Sequence, residues 1–231
     1  MSNTNDFSQM AKNTVSSENQ TRLGETIFAD NLGGSGKRIL FIGNSITLHD
    51  IRPSIGWHLE CGMAASSHEN DYVHIIKRRV REKDADAAFC ICQASGWERS
   101  YKTESPCAPY EAARDFNADI IIMRVIENCS LSEYVPEAFE KAYKEFAEFL
   151  NKSGKAKIIF TTGFWMHPGD ELIKKVADEL SSPCVYLGDL GQDDSMKAIG
   201  LFEHSGVAAH PGDKGMKFIA DRIWSEIEKL I

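Results

Sequence analysis

The stretch that decides the fold is Arg38-Ile-Leu-Phe-Ile-Gly-Asn-Ser-Ile-Thr47. It begins as an apolar run rich in β-branched and aromatic residues, and Gly43-Asn44 ends that run abruptly. This pattern is typical of a buried parallel strand followed by a tight turn. The turn would carry Ser45 at the carboxyl edge of the sheet, where open α/β sheets bind their ligands. Ser45 is therefore a candidate nucleophile if a base and oxyanion donors can reach it.

The rest of the chain alternates between short apolar runs and amphipathic helical patterns. Further strands are predicted at 87–92, 119–125, 156–161 and 184–187. Helices are predicted from a candidate capping box at Ser66-x-x-Glu69 and over about 136–150, 172–180 and 216–230. Five strands with helical crossovers predict an α/β protein of three layers, α/β/α, around a flavodoxin-like, doubly wound, five-stranded parallel sheet.

This topology predicts where the chemistry lies. In the flavodoxin-like strand order 2-1-3-4-5, the loops after the first three strands converge at one edge of the sheet. Those loops carry Ser45, Gly96 and Asn128. A hydroxyl, a backbone N–H at a glycine and a side-chain amide are thus expected in one crevice.

Length and composition fit one globular domain. The chain has 231 residues, of which 42% are hydrophobic and 26% charged. A net charge of −8 argues against nucleic acid as a partner. The apolar runs are too short to span a membrane, and the polar amino terminus lacks a signal-peptide pattern. Residues 1–36 are predicted as a polar arm or tail that precedes a hydrolase-like domain at 37–231.

Six cysteines occur without the spacing of a disulfide scaffold. Cys90 and Cys92 lie in one apolar run and are predicted as buried free thiols that share a face of the strand. Reduced thiols and the absence of an export signal favour the cytoplasm.

Four short motifs follow one another along the chain. They are Gly43-Asn44-Ser45-Ile46-Thr47, Ser95-Gly96-Trp97, Glu127-Asn128 and Ala209-His210-Pro211-Gly212. In this order they resemble the signature blocks of the SGNH (GDSL-like) hydrolases, over residues from about 38 to 230. The resemblance implies that Ser45 attacks an ester carbonyl and that His210 is its base. It also implies an oxyanion hole formed by the N–H groups of Ser45 and Gly96 and the amide of Asn128.

These residue types suit acyl transfer, but each also has a structural alternative. A hydroxyl is a weak nucleophile that needs a base, and fixed N–H donors stabilise the negative oxygen of the tetrahedral intermediate. Alternatively, Ser45 could cap a helix, and Gly96 and Asn128 could be turn residues. His210 could simply stand before the first turn of a helix.

The identity of the base stays open on residue chemistry alone. The tetrapeptide His-Pro-Gly-Asp occurs twice, at His167 and at His210, and both copies precede a helical pattern. His49, four residues after Ser45, is a third candidate. The resemblance selects His210, which stands before the last helix, and leaves His167 as a substrate contact.

One departure from the family pattern concerns the group that orients the base. The family usually has an aspartate three residues before its histidine, and this chain has Val207 there. The carboxylates considered as substitutes are Asp189, Glu203 and Asp213. The other option is a backbone carbonyl, as in the Ser–His dyads of some members, and we predict such a dyad. With no carboxylate partner, the histidine is expected to titrate near its ordinary pKa of about 6.5.

Candidate substrate contacts are Asn44, Trp57, Trp97, Trp165 and His167. The three tryptophans fall in loops near the predicted crevice, where aromatic faces suit sugar rings or apolar acyl groups; ordinary packing is the alternative. Arg52 and Arg124 are candidates to bind an acidic group, with structural ion pairs as their alternative.

Taken together, these features predict a serine esterase that hydrolyses short-chain acyl esters through an acyl-Ser45 intermediate. O-acetyl groups on carbohydrate are a candidate substrate, and no metal or cofactor is required. The alternative, prompted by Val207, is a non-catalytic or weakly active carbohydrate or small-molecule binding protein on the same fold. A mononucleotide-binding protein fits less well, because the first loop lacks a phosphate-binding pattern. The oligomeric state stays open.

Overall fold

Seven strands form one sheet in the computed structural model, which describes residues 20–231. In chain order they are β1 (Thr21–Gly24), β2 (Ile27–Asp30), β3 (Arg38–Gly43), β4 (Ala88–Gln93), β5 (Ile120–Arg124), β6 (Lys157–Thr161) and β7 (Cys184–Val185). Their order across the sheet is β1-β2-β4-β3-β5-β6-β7. Strands β3 to β7 pair in parallel, whereas β1 and β2 form an antiparallel hairpin on β4. The α/β class is confirmed, but the sheet is mixed and has seven strands instead of five.

The two additional strands belong to the segment predicted as an arm. In β2, Ile27 pairs with Cys92 and Asp30 with Phe89, and all four residues of this strand are buried. Four residues are too few for an alternating pattern to stand out among polar neighbours. Residues 20–36 therefore contribute to the sheet, which corrects the prediction of a tail for this part. Residues 1–19 lie outside the described residues.

Seven α-helices occur within residues 20–231. They are α1 (Tyr72–Lys83), α2 (Ser95–Ser100), α3 (Glu111–Asp115), α4 (Pro136–Leu150), α5 (Asp170–Glu179), α6 (Ser205–Ala208) and α7 (Asp213–Ile227). Short 3₁₀ segments lie at Pro53–Ile55, His68–Asn70, Ala108–Tyr110, Leu190–Gln192 and Asp194–Met196. The four predicted helical patterns correspond to α1, α4, α5 and α7, whereas the three shortest helices were not predicted.

The first predicted helix starts later than expected. Its N-cap is Asp71, whose Oδ1 accepts a hydrogen bond of 2.7 Å from the His74 N–H. Ser66 lies outside the helix, and its hydroxyl donates to Asp213 at the start of α7 at 2.6 Å. The capping box at Ser66 is therefore wrong, because this serine caps neither α1 nor α7 and instead donates to the first residue of α7.

The central strand β3 is apolar throughout because helices cover both faces of the sheet. Ile39 and Phe41 pack into the core that contains α1 and α7. Leu40 and Ile42 point the other way, into the core that contains α4 and α5. This alternation holds the end of β3 firmly between two packed layers. The turn that follows it is thereby positioned by a rigid strand.

Cys90 and Cys92 are buried free thiols, as predicted, and both face the core beneath α4 and α5. Across residues 20–231, the His, Cys, Asp and Glu side chains form no group of three or more that could hold a metal ion. Nor does any helix in this range combine the length and apolar character needed to cross a membrane.

Candidate active site

The turn after β3 carries Ser45 at the carboxyl edge of the sheet. Its backbone closes through a hydrogen bond of 2.9 Å from the Thr47 N–H to the Asn44 carbonyl. Gly43 is required at the end of the strand, since a Cβ there would clash with Thr47 Oγ1 and lie 2.8 Å from the Arg124 carbonyl oxygen. Because β3 and this tight turn restrict the backbone, the serine is presented at a defined position.

The four residues with predicted catalytic roles line one cavity of about 1080 Å³. Ser45, Gly96 and Asn128 follow β3, β4 and β5, which are neighbours in the sheet. His210 enters the same cavity from the segment between α6 and α7. The topology thus brings the loops after three adjacent parallel strands to one edge.

Ser45 and His210 are in hydrogen-bond contact. Ser45 Oγ lies 2.8 Å from His210 Nε2. On the other side of the ring, His210 Nδ1 lies 2.6 Å from the Gly206 carbonyl oxygen. A carbonyl can only accept, so Nδ1 carries the proton and Nε2 is left to accept the proton of the serine hydroxyl. Val207 itself is fully buried in the core.

The three carboxylates considered as substitutes for the aspartate are held elsewhere or exposed. Asp189 forms a two-fold ion pair with Arg222, at 2.5 and 2.7 Å. Asp213 accepts hydrogen bonds from the N–H and hydroxyl of Ser66. Glu203 is exposed. The imidazole proton is directed to a backbone carbonyl instead.

We expect Asp189→Asn, Glu203→Gln and Asp213→Asn each to leave kcat within about tenfold of the unmodified chain, because none of these carboxylates meets the imidazole. Loss of a true triad acid can cost about 10⁴. Steady-state ester hydrolysis measures the effect, and thermal unfolding controls for the loss of the Asp189–Arg222 ion pair and of the hydrogen bonds from Ser66 to Asp213. A fall approaching 10⁴ in one folded variant would identify an orienting acid and contradict the dyad.

The surroundings of His210 favour its neutral form. Burial lowers its pKa to about 4, and the neighbouring His49 acts in the same direction. The hydrogen bond to Gly206 favours the protonated ring but does not offset burial. The expected value of about 6.5 is therefore corrected, since the sequence cannot show how deeply a loop histidine is buried.

A neutral His210 should persist well into the acid range. Titration of the histidine ring resonances by NMR should give His210 a pKa near 4, with the His210→Gln variant identifying the signal. Because a general base works only when deprotonated, protonation of this ring should contribute an acid limb to kcat near that pH and not near 6.5. A midpoint at or above 6.5 for this ring would contradict the assigned environment.

Two of the predicted substrate contacts are core residues. Trp57 and Trp97 are completely buried. The Trp97 ring stacks on Phe146 with a centroid distance of 4.9 Å, and Trp57 packs against Phe202 at 6.0 Å. The packing alternative therefore holds for both, and neither ring is available to a sugar.

Trp165 contacts the His210 ring, whereas His167 does not line the cavity that contains Ser45 and His210. The half-buried Trp165 ring meets the His210 ring edge-on, at 5.1 Å between centroids. His167 is engaged at both nitrogens, with Nδ1 accepting from the Gly169 N–H at 3.0 Å and Nε2 lying 3.1 Å from the Cys129 carbonyl. Trp165 thus supports the His210 ring, whereas His167 shapes the loop after β6.

Asn44 and Arg124 belong to a buried polar network and are not exposed to substrate. Both are completely buried. Arg124 Nη1 donates to Asn44 Oδ1 at 3.0 Å, and its Nη2 pairs with Glu127. The Asn44 amide donates to Glu127 at 2.5 Å and to Glu98 at 2.9 Å. A lone arginine ending an apolar strand signals that a buried carboxylate is required, and that partner is Glu127. The role of Glu98 was missed, because its partners Asn44, Ile126 and Asn128 lie far from it in the chain.

The cavity is also lined by polar side chains, among them both positively and negatively charged ones. Arg52 and Arg99 line it together with Asp50, and the turn of the β1–β2 hairpin adds Glu25 and Thr26. Arg52 thus lies where a substrate group could meet it. The contribution of the hairpin was missed together with the hairpin itself.

No protein-family model and no curated protein sequence matches the chain. Solved structures do match it. The psychrotrophic esterase EstA from Pseudoalteromonas sp., in a structure inhibited by monoethylphosphonate, has a TM-score of 0.54 at 10% identity over 84% of this chain and 98% of that one. TesA has a TM-score of 0.57 at 14% identity, over 84% and 100%. The acetyl xylan esterase AlAXEase has a TM-score of 0.54 at 18% identity, over 82% and 99%. The chain therefore has the fold of the SGNH (GDSL-like) hydrolases.

Proposed function

We propose that this chain is a serine esterase of the SGNH type, which hydrolyses short-chain acyl esters through an acyl-Ser45 intermediate. The observation that carries the proposal is the contact of 2.8 Å between Ser45 Oγ and His210 Nε2, with Nδ1 of the same ring held by the Gly206 carbonyl. This arrangement activates a hydroxyl and keeps the base in the correct tautomer.

In the proposed reaction, His210 removes the hydroxyl proton while Ser45 Oγ attacks the ester carbonyl carbon. The tetrahedral intermediate then collapses, and the imidazolium returns the proton to the departing alcohol. His210 next deprotonates a water molecule, which attacks the acyl-serine ester. A second collapse releases the carboxylic acid and restores the serine hydroxyl. The net change is the addition of one water across the ester bond.

The proposed oxyanion hole uses three donors with little freedom to move. Gly96 is the second residue of α2, so its N–H has no acceptor within the helix. The Ser45 N–H belongs to the tight turn after β3. The Asn128 amide gives one N–H to Glu98 at 2.6 Å, which leaves its second N–H for substrate. Fixed donors stabilise the developing negative charge without reorganising.

The favoured substrate class is an O-acetyl group on a carbohydrate. The cavity wall contains several hydrogen-bonding side chains, among them Gln93, Ser95 and Ser100, which suit an alcohol rich in hydroxyl groups. Among the structural neighbours, one is named as an acetyl xylan esterase. A small acyl group with a polar alcohol fits this combination better than a long apolar chain.

Labelling with a fluorescent fluorophosphonate, followed by peptide mapping, tests the proposal directly. We expect covalent labelling at Ser45, and a panel of aryl acetate, butyrate and octanoate should show preference for acetate. Acetylated xylo-oligosaccharides and mannan should then release acetate. Absence of labelling combined with tight sugar binding and no turnover would favour the non-catalytic binding protein instead.

A further inference from the structure

Glu98 is a buried carboxylate to which the proposed reaction assigns no role. It lies in the first turn of α2, and its side chain is completely buried. Oε2 accepts from the Asn128 amide at 2.6 Å. Oε1 accepts from the Asn44 amide at 2.9 Å and from the Ile126 N–H at 2.5 Å. Both carboxylate oxygens therefore face hydrogen-bond donors.

The side-chain amide of Asn128 is hydrogen-bonded at both its nitrogen and its oxygen. While Nδ2 donates to Glu98, Oδ1 accepts from Arg99 Nη2 at 2.9 Å. A flip of the amide would set its NH₂ group against a guanidinium and its oxygen against a carboxylate, and both contacts would be repulsive. Only one orientation of the amide is compatible with both partners. In that orientation one N–H of the amide donates to Glu98, and the other N–H is engaged by neither Glu98 nor Arg99.

We propose that Glu98 is a positioning residue, whose carboxylate acts through Asn128 by holding the side-chain amide in the orientation that presents an N–H to the oxyanion. This inference rests on the proposed function, because an oxyanion forms only if Ser45 attacks an ester. It assigns Glu98 a role in turnover beyond its contribution to the buried network.

The charges around Glu98 give this role a pH signature. Burial raises the pKa of Glu98 well above its usual range, and the like charge of Glu127 raises it further. Because Arg124 pairs with Glu127, Glu98 is the carboxyl group of the two that takes up a proton. The other titratable or charged groups around it are Arg99, Tyr110 and Cys129.

Protonation of Glu98 disturbs its contacts at either oxygen. A proton on Oε2 meets the donor N–H of Asn128, and a proton on Oε1 meets the donors of Asn44 and Ile126. The value of kcat should therefore rise with pH as Glu98 ionises. This rise, the Glu98 limb of the pH profile of kcat, lies at higher pH than the rise caused by deprotonation of His210. A role confined to stability would produce no such limb in kcat.

The test is a double-mutant cycle between Glu98→Gln and Asn128→Ala, read out as kcat and KM for aryl acetate on the alkaline side of the limb. Glutamine keeps the size of the side chain but sets an NH₂ group against the Asn128 amide. Each single variant should lose roughly 10²–10³ in kcat, the usual cost of one oxyanion donor, with little change in KM. The double variant should lose no more than either single one. The Glu98 limb should vanish from the pH profiles of both single variants.

Glu127→Gln is the matched control, because it alters the same network without contacting Asn128. It should keep the limb and move it to lower pH, since the like charge beside Glu98 is gone. Its effect on kcat should multiply with that of Asn128→Ala. Far-UV circular dichroism and thermal unfolding confirm that each variant is folded.

Multiplicative losses in the double variant would overturn the positioning role. If Glu98→Gln does not fold, the pH profile of kcat for Asn128→Ala provides the test. A Glu98 limb retained in that profile would overturn the proposal. In both cases hydrolysis and labelling of Ser45 persist, so the proposed function stands. A chain that neither hydrolyses esters nor reacts at Ser45 would overturn the proposed function, and the positioning role with it.

Discussion

Ser45→Ala is expected to lower kcat for ester hydrolysis by roughly 10⁶, the scale of losses on removing a serine nucleophile. Among residues 20–231, Ser45 supplies the hydroxyl that contacts the imidazole, and water cannot replace a covalent nucleophile held 2.8 Å from its base. The cost to folding should be small, because only one side-chain hydrogen bond of a half-buried residue is lost. Such a bond contributes about 1 kcal/mol to the free energy of unfolding.

The measurement combines steady-state kinetics with fluorophosphonate labelling and chemical denaturation. Ser205→Ala is a suitable control, because this exposed serine in α6 lies near the histidine segment and has no predicted role in the reaction. It should retain activity and labelling. Activity above about a hundredth of the unmodified level in folded Ser45→Ala would assign the nucleophile to another residue.

Much of the candidate site could be predicted because its residues follow strands. A buried parallel strand is recognised by its apolar run, and neighbouring strands deliver their following loops to one edge. Ser45, Gly96 and Asn128 each come shortly after such a run, so the topology alone brings them together. His210 lies far along the chain, and only the resemblance to a family distinguished it from the identical tetrapeptide at His167.

The parts that could not be predicted depend on tertiary contacts. The acceptor for the base is the Gly206 carbonyl, and a main-chain oxygen leaves no mark in the residue types. Trp57 and Trp97 stand in or beside loops, but both fold back into the core, which no local pattern reveals. The role inferred for Glu98 depends on its hydrogen bond with Asn128, which is 30 positions away in the chain. Partners at such separation cannot be paired from one sequence.

The second large effect is expected for His210→Ala, with a loss again of roughly 10⁶ in kcat near neutral pH. Without the imidazole, the serine hydroxyl keeps its proton and the departing alcohol has no acid to protonate it. The variant should still fold, because the backbone bonds of this residue to Val207 and Ala198 do not need its ring. Removal of the ring also leaves a space between Ser45 and the Gly206 carbonyl, so added imidazole should restore part of the activity.

Matched substitutions separate the three candidate bases. His49 lines the same cavity and His167 does not, but neither is in hydrogen-bond contact with Ser45. His49→Ala and His167→Ala should therefore keep kcat within about tenfold, since a general base typically contributes 10²–10⁴. The double variant Ser45→Ala,His210→Ala should be no slower than Ser45→Ala alone, because the two residues act as one unit. A loss in His49→Ala as large as that in His210→Ala would move the base to the other histidine. Losses that multiplied in the double variant would mean that the two side chains act in separate steps.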